Sequence, residues 1–458
     1  MEDTTRRLAQ FLSHVQFEEL AQGVIDQAKK CLLDFTGVAI AGAKGAASEK
    51  IFNFFKNLGG PAEASVFKYA HKTSSPLAAL INGSMAHGLE LDDGHILAHA
   101  HPGVTTIPAA VAIGEKIRST GKDLLTAIVT GYEPVIRIGN AITPSALYDR
   151  GIHTAALVGS LGASTAVGKL LHLDEEKMLH ALGNCCLTPI APFQTFKEGA
   201  TIKDLYGGWP AFVGTIAGSM AGEGFTGPIH FLEGPMGLCK NVSDDYDLVS
   251  ITENMGEPWS IMGVYFKRHA SCSLSHTTMD ATLALVESNR IVPDEITKVT
   301  VKIHRFASDL NEKAPKTPTA AKTSIPFCVA LCVIRRCVSL GEFSLHNIKD
   351  EKIGKLAQKV EVQLNPELDQ IHLAREDLRP SIVEIHMKEG QVFTERKDTA
   401  KGWAVDPLSD KELEEKFLGL AQTSLSKEKA LRILDMVWEM DNLQDIRLFI
   451  EEIKEFKS

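Results

Sequence analysis

The chain has no CxxC pair, although it carries eight cysteines (Cys31, Cys185, Cys186, Cys239, Cys272, Cys328, Cys332 and Cys337). In 458 residues that pattern describes reduced core thiols of a cytosolic protein rather than a disulfide framework. Nothing in the spacing points to an iron–sulfur cluster. No stretch approaches the roughly 18 uninterrupted apolar residues of a membrane span. The start, "MEDTTRRLAQFLSHV", is charged and amphipathic, without the apolar core and cleavage site of a secretory signal. A cytoplasmic protein with no membrane partner is expected. A long basic run is missing too, and 58 acidic against 48 basic residues leave a net charge of −10, so nucleic acid is not an expected partner. No GxSxG elbow, HExxH helix or dinucleotide fingerprint occurs. Tandem repeats and low-complexity segments are absent.

What is present is helix. From about Thr5 to Ser260, segments such as "FEELAQGVIDQAKKCLLDFTGVAIAG" and "HTAALVGSLGASTAVGKLL" carry apolar residues at helical spacing. Their abundance of Ala, Gly, Ser and Thr predicts close-packed, buried helices, since each glycine lowers helix propensity by roughly 1 kcal/mol against alanine. The texture changes after about Tyr265. "ITKVTVKIH" and "KVEVQLNPE" alternate as half-buried strands do, and "RPSIVEIHMKEGQVFTERKD" reads as a hairpin turning at Lys388, Glu389 and Gly390. Amphipathic helix returns after "GWAVDPLSDKELEEKF", where Ser409 and Glu412 have capping-box spacing. The expected fold is mainly α: a large all-helical domain formed by both chain ends (1–264 and 398–458), with an inserted α+β lid at 265–397.

Chemistry-bearing residues gather in "HGLELDDGHILAHAHPG", residues 87–103, with four histidines, three acids, three glycines and a proline. His87 and Glu90 are predicted on one helical face, with Asp92 and Asp93 at the helix end, and Pro102 makes His101 extended. Three readings fit: a solvated helix end, a metal site, or acid/base chemistry in which a carboxylate orients an imidazole. The metal reading lacks a recognised ligand spacing. Three more stretches matter. His153 opens a small-residue helix, Lys203 lies in a glycine-punctuated loop, and "YFKRHASCSLSHTTMD" carries Lys267, Arg268, Cys272 and His276 at the boundary with the α+β unit, where ligand sites favour domain junctions. "GASTAVGK" (162–169) is one residue too long for a phosphate loop, and Leu170 stands in place of the metal-reaching hydroxyl.

In these stretches the chain resembles the MmgE/PrpD family. "MAHGLELDDGHILAHAHPGVTTIPAAVAIGE" is similar to that family's "HALDFDDTH…HPS…LPAALA" signature. "GIHTAALVGSLGAS", "ATIKDLYGGWPAFVGTIAGSMAGEGFTGP", "FKRHASCSLSHTTMDA" and "AKTSIPFCVAL" resemble further family motifs in the same order. The resemblance implies a helical domain with an inserted lid, an active site between them, a homodimer, and no organic cofactor or metal. It implies catalytic roles for Asp93, His101, His153, Lys203 and Lys267. Substrate contacts would fall to Glu90, His95, Arg268, Cys272 and His276.

The family includes 2-methylcitrate dehydratases, cis-aconitate decarboxylases and iminodisuccinate epimerases. Three departures argue against decarboxylation: Gly94 where the decarboxylases have threonine, Cys272 where they have histidine, and Phe327 where they have tyrosine. The expected function is therefore a cofactor-independent lyase, first a dehydratase of a small tricarboxylate such as 2-methylcitrate or citrate. The alternatives are an epimerase of an iminodisuccinate-like dicarboxylate and then a decarboxylase. All three create charge beside a carboxylate. One preformed donor aimed at that charge is worth roughly 3–4 kcal/mol, and Lys203, Lys267 and Arg268 are the candidates. His101 and His153 are the expected base and acid in either order, with Asp93 supporting an imidazole.

Overall fold

A computed structural model describes residues 3–143, 145–375 and 377–454. The helical body is built on Gln22–Gly42, Ser75–His87, Pro102–Ile117, Gly121–Ile142, Thr154–Leu170 and Leu205–Gly222. Thr154–Leu170 packs against Pro102–Ile117, Gly121–Ile142 and Leu205–Gly222, and the last of these also packs on Ser75–His87. Small residues set these distances. A Cβ on Gly83 would lie 2.5 Å from the Val104 carbonyl oxygen, and one on Gly208 would lie 2.0 Å from that of Leu80. "GASTAVGK" falls inside Thr154–Leu170, as buried helix and not a phosphate loop.

The glycine crossing is testable. In Gly208→Ala the new methyl meets backbone, which cannot rotate away, so the helices must separate. A loss of about 1–3 kcal/mol is expected from overpacking, read as a lower midpoint in urea at an unchanged slope.

A short hairpin of β1 (Ala64–Val66) and β2 (His71–Thr73) interrupts the region that reads as helical almost throughout. Strands of three residues are too short for alternation to show. The larger sheet comprises β3 (Ile296–Ile303), β4 (Val360–Leu364), β5 (Ser381–Met387) and β6 (Val392–Lys397), in the order β4-β3-β5-β6. β4 runs parallel to β3, so helical segments cross between them, while β5 and β6 form the antiparallel hairpin expected from sequence. Gly390 holds its turn at φ +87°. β5 buries every second residue, and the helix His276–Ser288 packs on it and on Ile325–Arg335.

Ser409 caps the helix Asp410–Ala421 in a reciprocal capping box with Glu412. That helix returns to lie along Gln22–Gly42, where Lys416 pairs with buried Asp34 at 2.6 Å. All eight cysteines are free thiols. Five are buried, but Cys186 and Cys337 are exposed and Cys272 is half-buried, so the expectation of core thiols holds only in part. Among the described residues no helix is long and apolar enough to cross a membrane.

Candidate active site

Three helices start at one place. His101 is the N-cap of Pro102–Ile117, with proline at the first turn, where its missing N–H costs nothing. His153 is the N-cap of Thr154–Leu170. Lys203 lies in the turn Thr201–Asp204 that feeds Leu205–Gly222. Helix N-termini carry positive partial charge and favour anions. The helix Ser75–His87 ends there from the opposite direction. It does not run on to Asp92 and Asp93 as its sequence predicts, because Glu90 turns left-handed at φ +57°. Its carboxylate there meets two lysines from later segments, and that pairing overrides helix propensity.

A small cavity of about 60 Å³ opens at this junction, lined among others by Glu90, His95, His101, His153, Lys267 and Cys272. It has room for roughly four to six waters. Phe193, Leu274 and Phe306 line both this cavity and an outer cleft of about 630 Å³. Asp93 and Lys203 stand one layer behind the wall. Lys203 pairs with Glu90, and the Asp93 carboxylate accepts from the Gly103 amide at 2.9 Å and the Tyr132 hydroxyl at 2.7 Å.

Two expected site residues are not here. The Arg268 side chain is 53% exposed and its nearest acid, Asp280, is 3.9 Å away, so it faces solvent rather than the cavity. His276 is fully buried, with Nε2 3.2 Å from the Ser271 carbonyl and its ring against His269. It opens the helix His276–Ser288, which packs on β5 and on Ile325–Arg335.

The carboxylate that lies beside the imidazoles is that of Asp92 rather than Asp93. One Asp92 oxygen is 2.8 Å from His87 Nδ1 and 3.3 Å from His101 Nδ1, and the other is 3.2 Å from Lys267 Nζ. Lys267 Nζ also reaches Glu90 at 3.1 Å. Against the cost of burial, Lys267 and the two imidazoles hold the Asp92 carboxyl well below the usual carboxylate range. Burial likewise opposes the Lys267 ammonium, yet Asp92 raises it above an ordinary lysine. Burial pushes Lys203 down, with Lys267 and Lys322 adding to the effect. Asp93, buried and beside Asp34, is pushed up to about 7.

Hydrogen bonds assign the tautomers of the two central histidines. His101 Nδ1 is 2.7 Å from the Asp93 carbonyl, an acceptor only, so Nδ1 carries hydrogen and Nε2 holds the lone pair. His153 Nδ1 accepts the Ala156 amide at 3.3 Å, so its neutral ring carries hydrogen on Nε2. Burial lowers both rings; for His153 the neighbouring His87 and His101 add to it. Both are therefore neutral near pH 7, one presenting a base and the other a donor.

Sequence reasoning missed five residues around the cavity. Asp92 stands beside Asp93 at the predicted helix end but is given no role there, and nothing in the local sequence singles out His99 from the other histidines of the segment. His99 lines the cavity and meets the Tyr148 hydroxyl at 2.9 Å. Tyr265 and Arg379 also line it, and Lys322 donates to the Gly88 carbonyl at 2.9 Å. A proline after Arg379 and a family-like motif around Lys322 are the only local signals. Among the described residues, the three side chains grouped closely enough to share a metal are Asp3, His230 and Glu233, which do not line the cavity.

The departures also look different in three dimensions. A Cβ on Gly94 would lie 2.4 Å from the Tyr265 hydroxyl, so a tyrosine fills the space a threonine would need. Phe327 is buried against Phe343 in the helix Ile325–Arg335 and does not line the cavity. Of the three positions, Cys272 alone is a side chain on the cavity wall.

Residues 6–250 match the model of the MmgE/PrpD N-terminal domain, and residues 269–442 match that of the MmgE/PrpD C-terminal domain. The chain belongs to the MmgE/PrpD family. Among its MmgE/PrpD relatives, a cis-aconitate decarboxylase of Aspergillus terreus (strain NIH 2624 / FGSC A1156) is 26% identical over 98% of this chain and 95% of its own. The cis-aconitate decarboxylase of Mus musculus is 24% identical over 99% of this chain and 94% of its own. That of Homo sapiens is 23% identical over 99% and 95%.

Proposed function

We propose that this protein is a cofactor-independent lyase acting on a small tricarboxylate, by proton transfer at a carbon next to a carboxylate. The observation that carries the reading is the pair of neutral imidazoles in opposite tautomers beside the buried Lys267 ammonium. For a citrate-like acid, His101 Nε2 takes a proton from the carbon next to a carboxylate. The electron pair left behind spreads onto that carboxylate, whose charge Lys267 balances. It then forms the double bond as the C–OH bond breaks, the hydroxyl leaves as water with the proton of His153 Nε2, and the proton taken up by His101 passes through water to His153, so that both rings end neutral. Each proton transfer by a positioned group contributes about 10²–10⁴-fold. Asp92 keeps His101 oriented, and Tyr265 offers a further hydroxyl.

A second reading, decarboxylation of a cis-aconitate-like acid, is favoured by the names of the relatives. Both readings use the same charge stabilisation and differ in the bond that breaks. Incubating the protein with citrate, 2-methylcitrate, cis-aconitate and iminodisuccinate, and following the products by mass spectrometry, separates them. Loss of water from citrate or 2-methylcitrate is the expected result. Release of carbon dioxide from cis-aconitate establishes the second reading instead. In D₂O, exchange of carbon-bound hydrogen without either loss points to epimerisation and overturns both.

A further inference from the structure

Arg379 is a buried cation on the cavity wall, and among the described residues no carboxylate neutralises it. It precedes β5 and is 2% exposed. Its Nη1 donates to Ser273 Oγ at 2.9 Å, and Nη2 has only long contacts of 3.5 Å with the Ile96 carbonyl and His99 Nδ1. Its buried Nε has no hydrogen-bond partner. The guanidinium lies 5.7 Å from the Trp403 ring, which fixes its plane without cancelling its charge. No acid forms a salt bridge with it among the described residues, whereas Lys203 and Lys267 are both taken up by Glu90 and Asp92. A charge removed from water without a counter-ion is costly, and a planar guanidinium with spare donors fits a carboxylate in bidentate fashion.

We propose that Arg379 is the subsite for the carboxylate remote from the reacting carbon, and that it is the residue by which this protein selects polycarboxylates over monocarboxylates. The inference deepens the lyase reading, and its choice of ligand rests on that reading. His101 and Lys267 handle the carbon that loses its proton, while Arg379 holds the far end of the acid from the segment before β5. Binding there turns an uncompensated cation into an ion pair. Arg379 thus does the work expected of Arg268, whose guanidinium faces solvent.

The test uses tricarballylate, a saturated tricarboxylate that can neither be dehydrated nor lose a conjugated carboxylate, with propionate as the monocarboxylate. Calorimetric titration of the wild type should show tricarballylate binding well above propionate. In Arg379→Gln the affinity for tricarballylate should fall about 100-fold, as when one partner of a buried charge pair is removed, and the preference should vanish. Arg379→Lys, which keeps charge but not the fork, should fall between. The ligand-free Tm of Arg379→Gln should equal or exceed that of the wild type, because an unpaired buried charge has gone. A Tm several degrees lower, with Arg379→Lys no better than Arg379→Gln, would mark a structural arginine and overturn the proposal. So would unchanged tricarballylate affinity in Arg379→Gln, or a wild type that does not distinguish the two acids. If the wild type shows the preference but turns over none of the acids tested, the lyase reading fails and the Arg379 subsite stands. Turnover of a tricarboxylate with the same KM in wild type and Arg379→Gln sinks the subsite and leaves the lyase.

Discussion

His101→Gln is expected to lower kcat by about 10²–10⁴-fold on whichever acid the wild type converts, with KM nearly unchanged. Glutamine can still donate to the Asp93 carbonyl, which His101 Nδ1 reaches at 2.7 Å, so the loop keeps its anchor. What disappears is the Nε2 lone pair, a group no other side chain supplies with the same orientation. The pH profile gives an independent check. Burial places the folded His101 below the ordinary imidazole value, so it is protonated only in acid. The rate should stay level above that point and decline as pH falls through it. Measuring kcat and Tm together decides the matter: wild-type turnover by a folded His101→Gln protein removes the base assignment.

Acid instability is the second large effect. Eight of the sixteen histidines, His87, His95, His99, His101, His153, His276, His304 and His372, have their folded values lowered, with burial the leading cause in each. His87 is held at about 3, His95 at about 4 and His304 at about 2. In the unfolded chain they titrate near 6.5. Below that pH the unfolded state binds protons the folded state refuses, so stability falls as pH falls. Each such histidine contributes about 1.4 kcal/mol per pH unit once well inside its window. Asp34, Asp93 and Asp204 act the other way, since burial raises their folded values and acid favours the folded form. Eight groups outweigh three. Urea midpoints should already decline as pH falls through 7 and should drop most steeply from about 6.5 towards 5. A midpoint that stays flat or rises over that range would show that these histidines are not held neutral in the folded protein.

The outline of the fold was legible because it is written in local pattern. Helical spacing, small residues, the alternation in β3 and β5 and the capping box at Ser409 each depend on neighbours a few positions away. The candidate site was legible only where its residues share a segment or a family-like motif. His101 and His153 announced themselves by standing at helix starts, one beside a proline and the other after a glycine. Arg268 misled because it is next to Lys267 in sequence, yet the chain bends at Arg268 and leaves its side chain in solvent while that of Lys267 is buried. Tyr265 gave no warning, and Arg379 only the proline that follows it.

The sequence by itself determined a mainly helical chain with one α+β unit, the segment 87–103 as a centre of acid/base chemistry, and lysines as its cationic half. Tertiary structure alone decided which carboxylate serves which imidazole, which ring nitrogen carries hydrogen, and which arginine faces the cavity. The physical reason is that these are matters of distance between segments far apart in the chain. Asp92 and Asp93 are chemically identical and adjacent, but Lys267 and two imidazoles hold the first well below the usual carboxylate range, while burial and the neighbouring Asp34 carboxylate, against the hydrogen bond from Tyr132, make the second an acid near 7.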